Sequence, residues 1–103
     1  MTHELAKEFV DSATFEDCVC KLNGFFYFCY GLTWHEDKGV FGLRIDKYLK
    51  LYPETDFYGT VLDIECKTTD ECMRHFIEDP IWDGRTYWEA APDMLWTDYN
   101  GEY

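Results

Sequence analysis

Phe25-Phe26-Tyr27-Phe28-Cys29-Tyr30-Gly31-Leu32-Thr33-Trp34, His35-Glu36-Asp37-Lys38-Gly39 and Val40-Phe41-Gly42-Leu43-Arg44-Ile45-Asp46 form the stretch on which the fold turns. The first run is dense in aromatic rings, which suit a pleated, packed surface, and it reads as a strand. The polar middle reads as a turn. In the third run Phe41, Leu43 and Ile45 alternate with Gly42, Arg44 and Asp46. That period of two predicts one buried face and one wet face, so the whole stretch reads as a hairpin.

Toward the C-terminus, residues 47–57 contain Pro53 and read as an irregular connection. Tyr58 to Lys67 reads as a third strand, with Leu62, Ile64 and Cys66 on its buried face and Asp63 and Glu65 on its wet one. Thr68 with Glu71 is a capping box that opens a helix. Cys72, Met73, Phe76 and Ile77 are its buried stripe, and Pro80 ends it. Asp83-Gly84 makes a turn. Thr86 with Glu89 repeats the capping pattern for a short helix stopped by Pro92, and Met94 to Trp96 can add a short strand.

Toward the N-terminus, Thr14 to Gly24 reads as a helix. Thr14 and Asp17 stand at capping-box positions, Phe15, Cys18, Val19 and Leu22 follow the spacing of one helical face, and Asn23-Gly24 supplies left-handed residues to end it. Residues 2–11 read as a first helix, with Thr2 as cap and Leu5, Phe9 and Val10 near one face. The expected order is ααβββαα with an optional last strand. The class is α+β: a small antiparallel sheet of three to four strands packed with two to four helices, in a single domain over residues 1–103.

Composition supports a packed core. Of 103 residues 47% are hydrophobic and 19% aromatic, too many for a disordered chain. The net charge is −12, from 21 acidic and 9 basic residues, and it is uneven. Residues 1–53 carry −2 and residues 54–103 carry −10. Direct binding to nucleic acid is disfavoured, because phosphates would be repelled. Five cysteines in no framework spacing, no signal-peptide pattern at Met1-Thr2-His3-Glu4 and no apolar run of spanning length point to a reducing cytoplasm and away from a membrane.

The candidate chemistry is thin. Cys18 and Cys20, two apart on an expected helix, point away from each other and are poorly placed to hold one ion. Cys72 and His75, three apart, share a helical face and could be two metal ligands, with Cys66 and His35 as conceivable additions, or a Cys/His nucleophile pair. Neither set is complete, and no phosphate loop, dinucleotide fingerprint or zinc-protease motif is present. No catalytic residue, metal or cofactor is expected.

Charge is the remaining signal. Asp70, Glu71 and Glu89 sit in first helical turns, where a negative side chain is locally favoured. The other ten acidic residues of the C-terminal half lack that explanation. Seven of them, with two of the aromatic rings among them, form a candidate partner-binding set: Asp63, Glu65, Glu78, Asp79, Trp82, Asp83, Trp88, Asp93 and Asp98.

In size, acidity and lack of catalytic motifs the chain resembles the small acidic inhibitors made by phages and mobile elements, anti-CRISPR and anti-restriction proteins among them. The segment Thr68 to Trp88, with Ile81-Trp82-Asp83-Gly84 between two capped helices, looks like a recurrent module of small bacterial and phage proteins. The resemblance implies a non-enzymatic inhibitor that presents an anionic, nucleic-acid-mimicking face to a basic protein surface, that of an effector nuclease, in the host cytoplasm. An immunity protein that neutralises a bacterial toxin shares the same gross features and is the alternative reading.

Overall fold

The computed structural model describes residues 17–51 and 53–97. It contains β1 (Cys18–Leu22), β2 (Phe25–His35), β3 (Val40–Lys50), β4 (Asp56–Cys66), α1 (Thr69–Glu78), α2 (Tyr87–Ala90), a 3-10 turn (Ala91–Asp93) and β5 (Leu95–Thr97). The strands form one sheet in the order β4-β3-β2-β1-β5, with every pair antiparallel. Four strands follow one another as a meander. The chain then crosses one face of the sheet and adds β5 beside β1.

This corrects the expected ααβββαα order. The described residues are mostly a five-stranded antiparallel sheet with two short helices, not the three to four strands packed with two to four helices in the expected order. The expected helix over residues 14–24 is the main error, since Cys18–Leu22 is a strand. Cys20 and Leu22 enter the core, while Val19, on the opposite face, is also buried. A strand with apolar residues on both faces loses the period of two, and its residues then also match a helical spacing. Asn23-Gly24 is left-handed, as expected of it, with φ of 51° and 82°. It closes a two-residue hairpin between β1 and β2 in place of ending a helix. Asp17 caps nothing, because its carboxylate accepts the Gly31 N–H at 2.6 Å. That amide lies at the bulge between Tyr30 and Thr33, where pairing with β3 lapses. The expected helix over residues 2–11 lies outside the described residues.

The expected hairpin of β2 and β3 is present, and both later strands run further than expected. β3 continues to Lys50 and β4 begins at Asp56, so both strands enter the span 47–57 that was expected to be irregular. Register shifts between Ile45 and Asp46 and around Tyr48 absorb the extra residues. Of the two expected capping boxes in the C-terminal half, Thr86–Glu89 forms in both directions, while Thr68 caps α1 without the return bond from Glu71. Thr68 Oγ1 accepts the Glu71 N–H at 3.2 Å. Thr86 N–H donates to the Glu89 carboxylate at 2.9 Å, while Glu89 N–H donates back to Thr86 Oγ1 at 3.4 Å.

The core lies between the sheet and the helical crossover. Leu43, Ile45, Leu62 and Cys66 of the sheet meet Cys72, Met73 and Phe76 of α1. Trp82, between the helices, is fully buried. Its ring touches those of Tyr27, Phe76 and Tyr87 at centroid distances of 5.1–5.9 Å, and its indole N–H donates to the Phe76 carbonyl at 2.9 Å. At the open end of this face Lys47 caps the core with its ammonium, 4.0 Å from the Phe25 ring centroid and 5.0 Å from that of Tyr58.

Candidate binding surface along β4 and α1

Antiparallel alternation divides the expected binding residues. Leu62, Ile64 and Cys66 turn toward the core, so Asp63 and Glu65 emerge on the opposite face of β4, both exposed. On that face Glu65 stands 3.4 Å from the Lys38 ammonium. Asp63 lies across from Arg44 in the β3–β4 register. Arg44 donates through Nε to Asp46 at 3.0 Å, and Thr60 donates to the same carboxylate oxygen at 2.8 Å. These two bonds satisfy Asp46, a buried acid. The Asp46 hydrogen bond, with a smaller push from Asp63, raises the Arg44 guanidinium above its ordinary value.

A groove of about 240 Å³ opens here, lined by His35, Lys38, Arg44, Asp63 and Glu65 among others. Gly42 makes room for it. A Cβ at that position would stand 2.7 Å from His35 Nε2, so the imidazole lies directly over the bare backbone of β3. Cations and carboxylates alternate along its wall, and its charge is nearly balanced.

Glu78 and Asp79 stand at the C-terminal end of α1, where the helix dipole disfavours a negative charge. Asp79 has compensation, with its carboxylate 2.9 Å from His75 Nδ1. Glu78 is exposed and forms no ion pair with any described residue. Asp83 occupies a second left-handed two-residue turn, and its carboxylate accepts from the Asn23 side-chain amide. Asp93 is held by Arg85 at 2.9 Å. Trp88 is half-buried and packs edge-on against Tyr87. Trp82 is corrected outright: a fully buried ring offers no surface, so its work is in the core. Asp98 lies outside the described residues.

The set is therefore not one patch. Asp63, Glu65 and Glu78 remain exposed, Glu65 with Lys38 beside it, while Asp79, Asp83 and Asp93 are engaged locally. Because α1 packs over β3 and β4, the outer side of α1 and the free side of β4 border the same edge of the sheet. Asp56, Asp63 and Glu65 come to it from β4, and Asp70 and Glu78 from α1, against Lys38, Arg44, Lys67 and Arg74. Sequence reasoning passed over the two most exposed rings of that edge, Phe57 (53% exposed) and Tyr58 (62%). The signal was there: they are adjacent aromatics beside a run whose only charges are acidic.

The cysteine alternatives weaken on geometry. Cys72 is buried, and its thiol donates to the Phe41 carbonyl at 3.5 Å. Burial first, then a hydrogen bond with Cys66, pushes its pKa up to about 12. A neutral thiol is neither a nucleophile nor a good metal ligand. His75 is committed to Asp79. Cys18 and Cys20, being on a strand, share a face, unlike their expected helical arrangement, and Cys18 stands across from Cys29. Burial raises Cys20 and Cys29 well above the ordinary thiol range. Among the described residues no three His, Cys, Asp or Glu side chains are placed to hold a metal ion, and no helix is long and apolar enough to cross a membrane. Comparison with protein-family models, with curated proteins and with solved structures finds no match to the chain.

Proposed function

We propose that the protein is an acidic inhibitor of a nucleic-acid-handling protein, of the anti-CRISPR type. It would occupy the basic nucleic-acid channel of an effector nuclease with the anionic edge formed by β4 and α1. The observation that carries this reading is Glu78: an exposed carboxylate with no ion pair, at the end of α1 where the dipole penalises it. Helix stability does not account for it, and a basic partner does. Asp63 and Glu65 strengthen the reading. Two residues apart on a strand, their Cα atoms are about 7 Å apart, close to the spacing of successive backbone phosphates. Acidic residues arranged in this way steer a basic surface toward the protein and raise the association rate.

The test is binding to purified candidate effectors across a salt series. Affinity should fall steeply as salt rises, because counterions and ionic steering are screened. Reversing Glu78, Asp63 and Glu65 to Lys should weaken binding far more than reversing Glu4 and Glu8. Tight binding that ignores salt, or equal loss from both sets of reversals, refutes the proposal.

A further inference from the structure

The free side of β4 has features that strand edges usually lack. β4 is eleven residues long and hydrogen-bonds to β3 on one side; among the described residues no strand lies on the other. Proteins ordinarily protect such an edge with shortness, charged side chains (lysine above all), proline or bulges, because its unpaired N–H and C=O groups recruit other strands. β4 has no lysine and no proline. Its bulges are confined to the half before Leu62. From Leu62 to Cys66 it pairs residue by residue with Ile45 to Phe41, a regular stretch suited to accept a neighbour.

We propose that this edge is the docking element, and that it accepts an extended strand of the partner carrying lysine or arginine at alternate positions. The inference rests on the inhibitor reading above and adds the mode of contact. Charge selects the occupant. The only charged residues of β4 are Asp56, Asp63 and Glu65. A second copy laid along it would set carboxylates against carboxylates, which destabilises a strand pair, whereas basic side chains would find an acid on the exposed face of the sheet. The aromatic residues fit the same occupant. Phe57 is held edge-on by Tyr48 at 5.5 Å and Tyr58 by Phe25 at 5.1 Å, so two exposed rings stand fixed at the start of the strand. Tyr58 already has the Lys47 ammonium 5.0 Å from its centroid, which shows the contact such a ring can make with a cation. Main-chain hydrogen bonds would supply affinity, and the alternating charges specificity.

The probe is a short synthetic peptide of alternating lysine and valine, with its glutamate–valine counterpart as control, added to isotope-labelled protein. The readout is amide hydrogen exchange by NMR. The basic peptide should slow exchange at alternate amides between Leu62 and Cys66, those pointing away from β3. The acidic peptide should leave them unchanged. Asp63→Lys with Glu65→Lys should weaken the basic peptide roughly tenfold, as expected for two cross-strand pairs turned from attraction to repulsion. The neutral pair Asp63→Asn with Glu65→Gln should weaken it less. Protection absent from β4, protection confined to α1, or equal response to both peptides overturns the proposal. The two readings fail separately. Effector binding unaffected by the β4 substitutions removes strand docking and leaves the inhibitor. Peptide pairing at β4 with no effector bound leaves strand docking and removes the inhibitor.

Discussion

At the scale of residues, two pairs decide the turns. Asn23-Gly24 and Asp83-Gly84 all have positive φ, and the side chains of Asn23 and Asp83 join the two turns by a hydrogen bond. The residues flanking the second turn, Trp82 and Arg85, exchange both backbone hydrogen bonds at 3.1 and 3.2 Å. Left-handed backbone costs a residue with a Cβ about 1–2 kcal/mol. Gly84→Ala should therefore lower stability by about 1–2 kcal/mol in urea unfolding. Gly59→Ala, with nothing within 4 Å of the added Cβ, should cost markedly less. The Thr86–Glu89 capping box makes a pH prediction. The Thr86 backbone N–H, then its hydroxyl, hold the Glu89 carboxyl below its ordinary value of 4.5. A depressed pKa means that the folded state favours the ionised form. Its contribution is complete above the ordinary value and is lost as pH falls through the lowered one. Glu89→Gln should thus destabilise at neutral pH, and the difference from wild type should shrink in acid, as followed by thermal melts. Thr86→Ala, which removes the cap acceptor, should cost about 1 kcal/mol.

At the scale of elements, legibility followed how many faces of an element are buried. β3 shows the expected alternation at Leu43, Arg44 and Ile45 but not at Asp46, which is buried on the face expected to be wet; α1 has one buried stripe and a cap, and it begins after Thr68 and stops before Pro80 as its sequence predicts. β1 is sandwiched between β2 and β5 and buried on both faces, so no single period marks it. Its neighbour β5 is three residues long and is held in register by Val19, Cys20 and Lys21 of β1. The segment between α1 and α2 owes its place to Trp82, whose ring meets three others and whose N–H reaches the Phe76 carbonyl. Trp82→Ala should destabilise by about 3–5 kcal/mol, the range for emptying a buried aromatic site. Trp82→Phe should cost less, losing mainly the hydrogen bond and some volume. Chemical denaturation followed by far-UV circular dichroism checks both.

At the scale of the whole molecule, two ledgers of charge differ. The exposed one is acidic, and it is spread over both faces of the sheet and the turns, with Asp56, Asp63 and Glu65 on β4 and Asp70 and Glu78 on α1. The buried one, apart from Asp46 with its Arg44 partner, consists of thiols and phenols that burial keeps protonated. Burial is the largest cause raising Tyr27 and Cys72, each to about 12, from ordinary values of 10.0 and 9.0. These groups ionise by losing a proton, so a raised pKa means that the fold favours the protonated form. Their stabilisation is complete below the ordinary values and is lost as pH climbs from there toward 12. The protein should hold through neutral pH and unfold cooperatively in alkali. Tyrosinate absorbance from the buried ring should rise together with the loss of circular dichroism. A buried tyrosine that titrates freely near pH 10 in the intact fold would contradict this.

Local signals in the sequence determined the β2–β3 hairpin, both capped helices, the two left-handed turns and the imbalance of charge, because each depends on residues close together in the chain. Tertiary structure alone decided that Cys18–Leu22 is a strand, since pairing with β2 and β5 satisfies its backbone on both sides. It alone buried Trp82, although nothing nearby in sequence distinguishes that ring from the exposed Trp34. It also split the candidate acids, sending Asp63 and Glu65 to one face of the sheet and Glu78 to the helical layer on the other. Composition set the amount of charge. Which carboxylates stay exposed was settled by where distant segments of the chain pack.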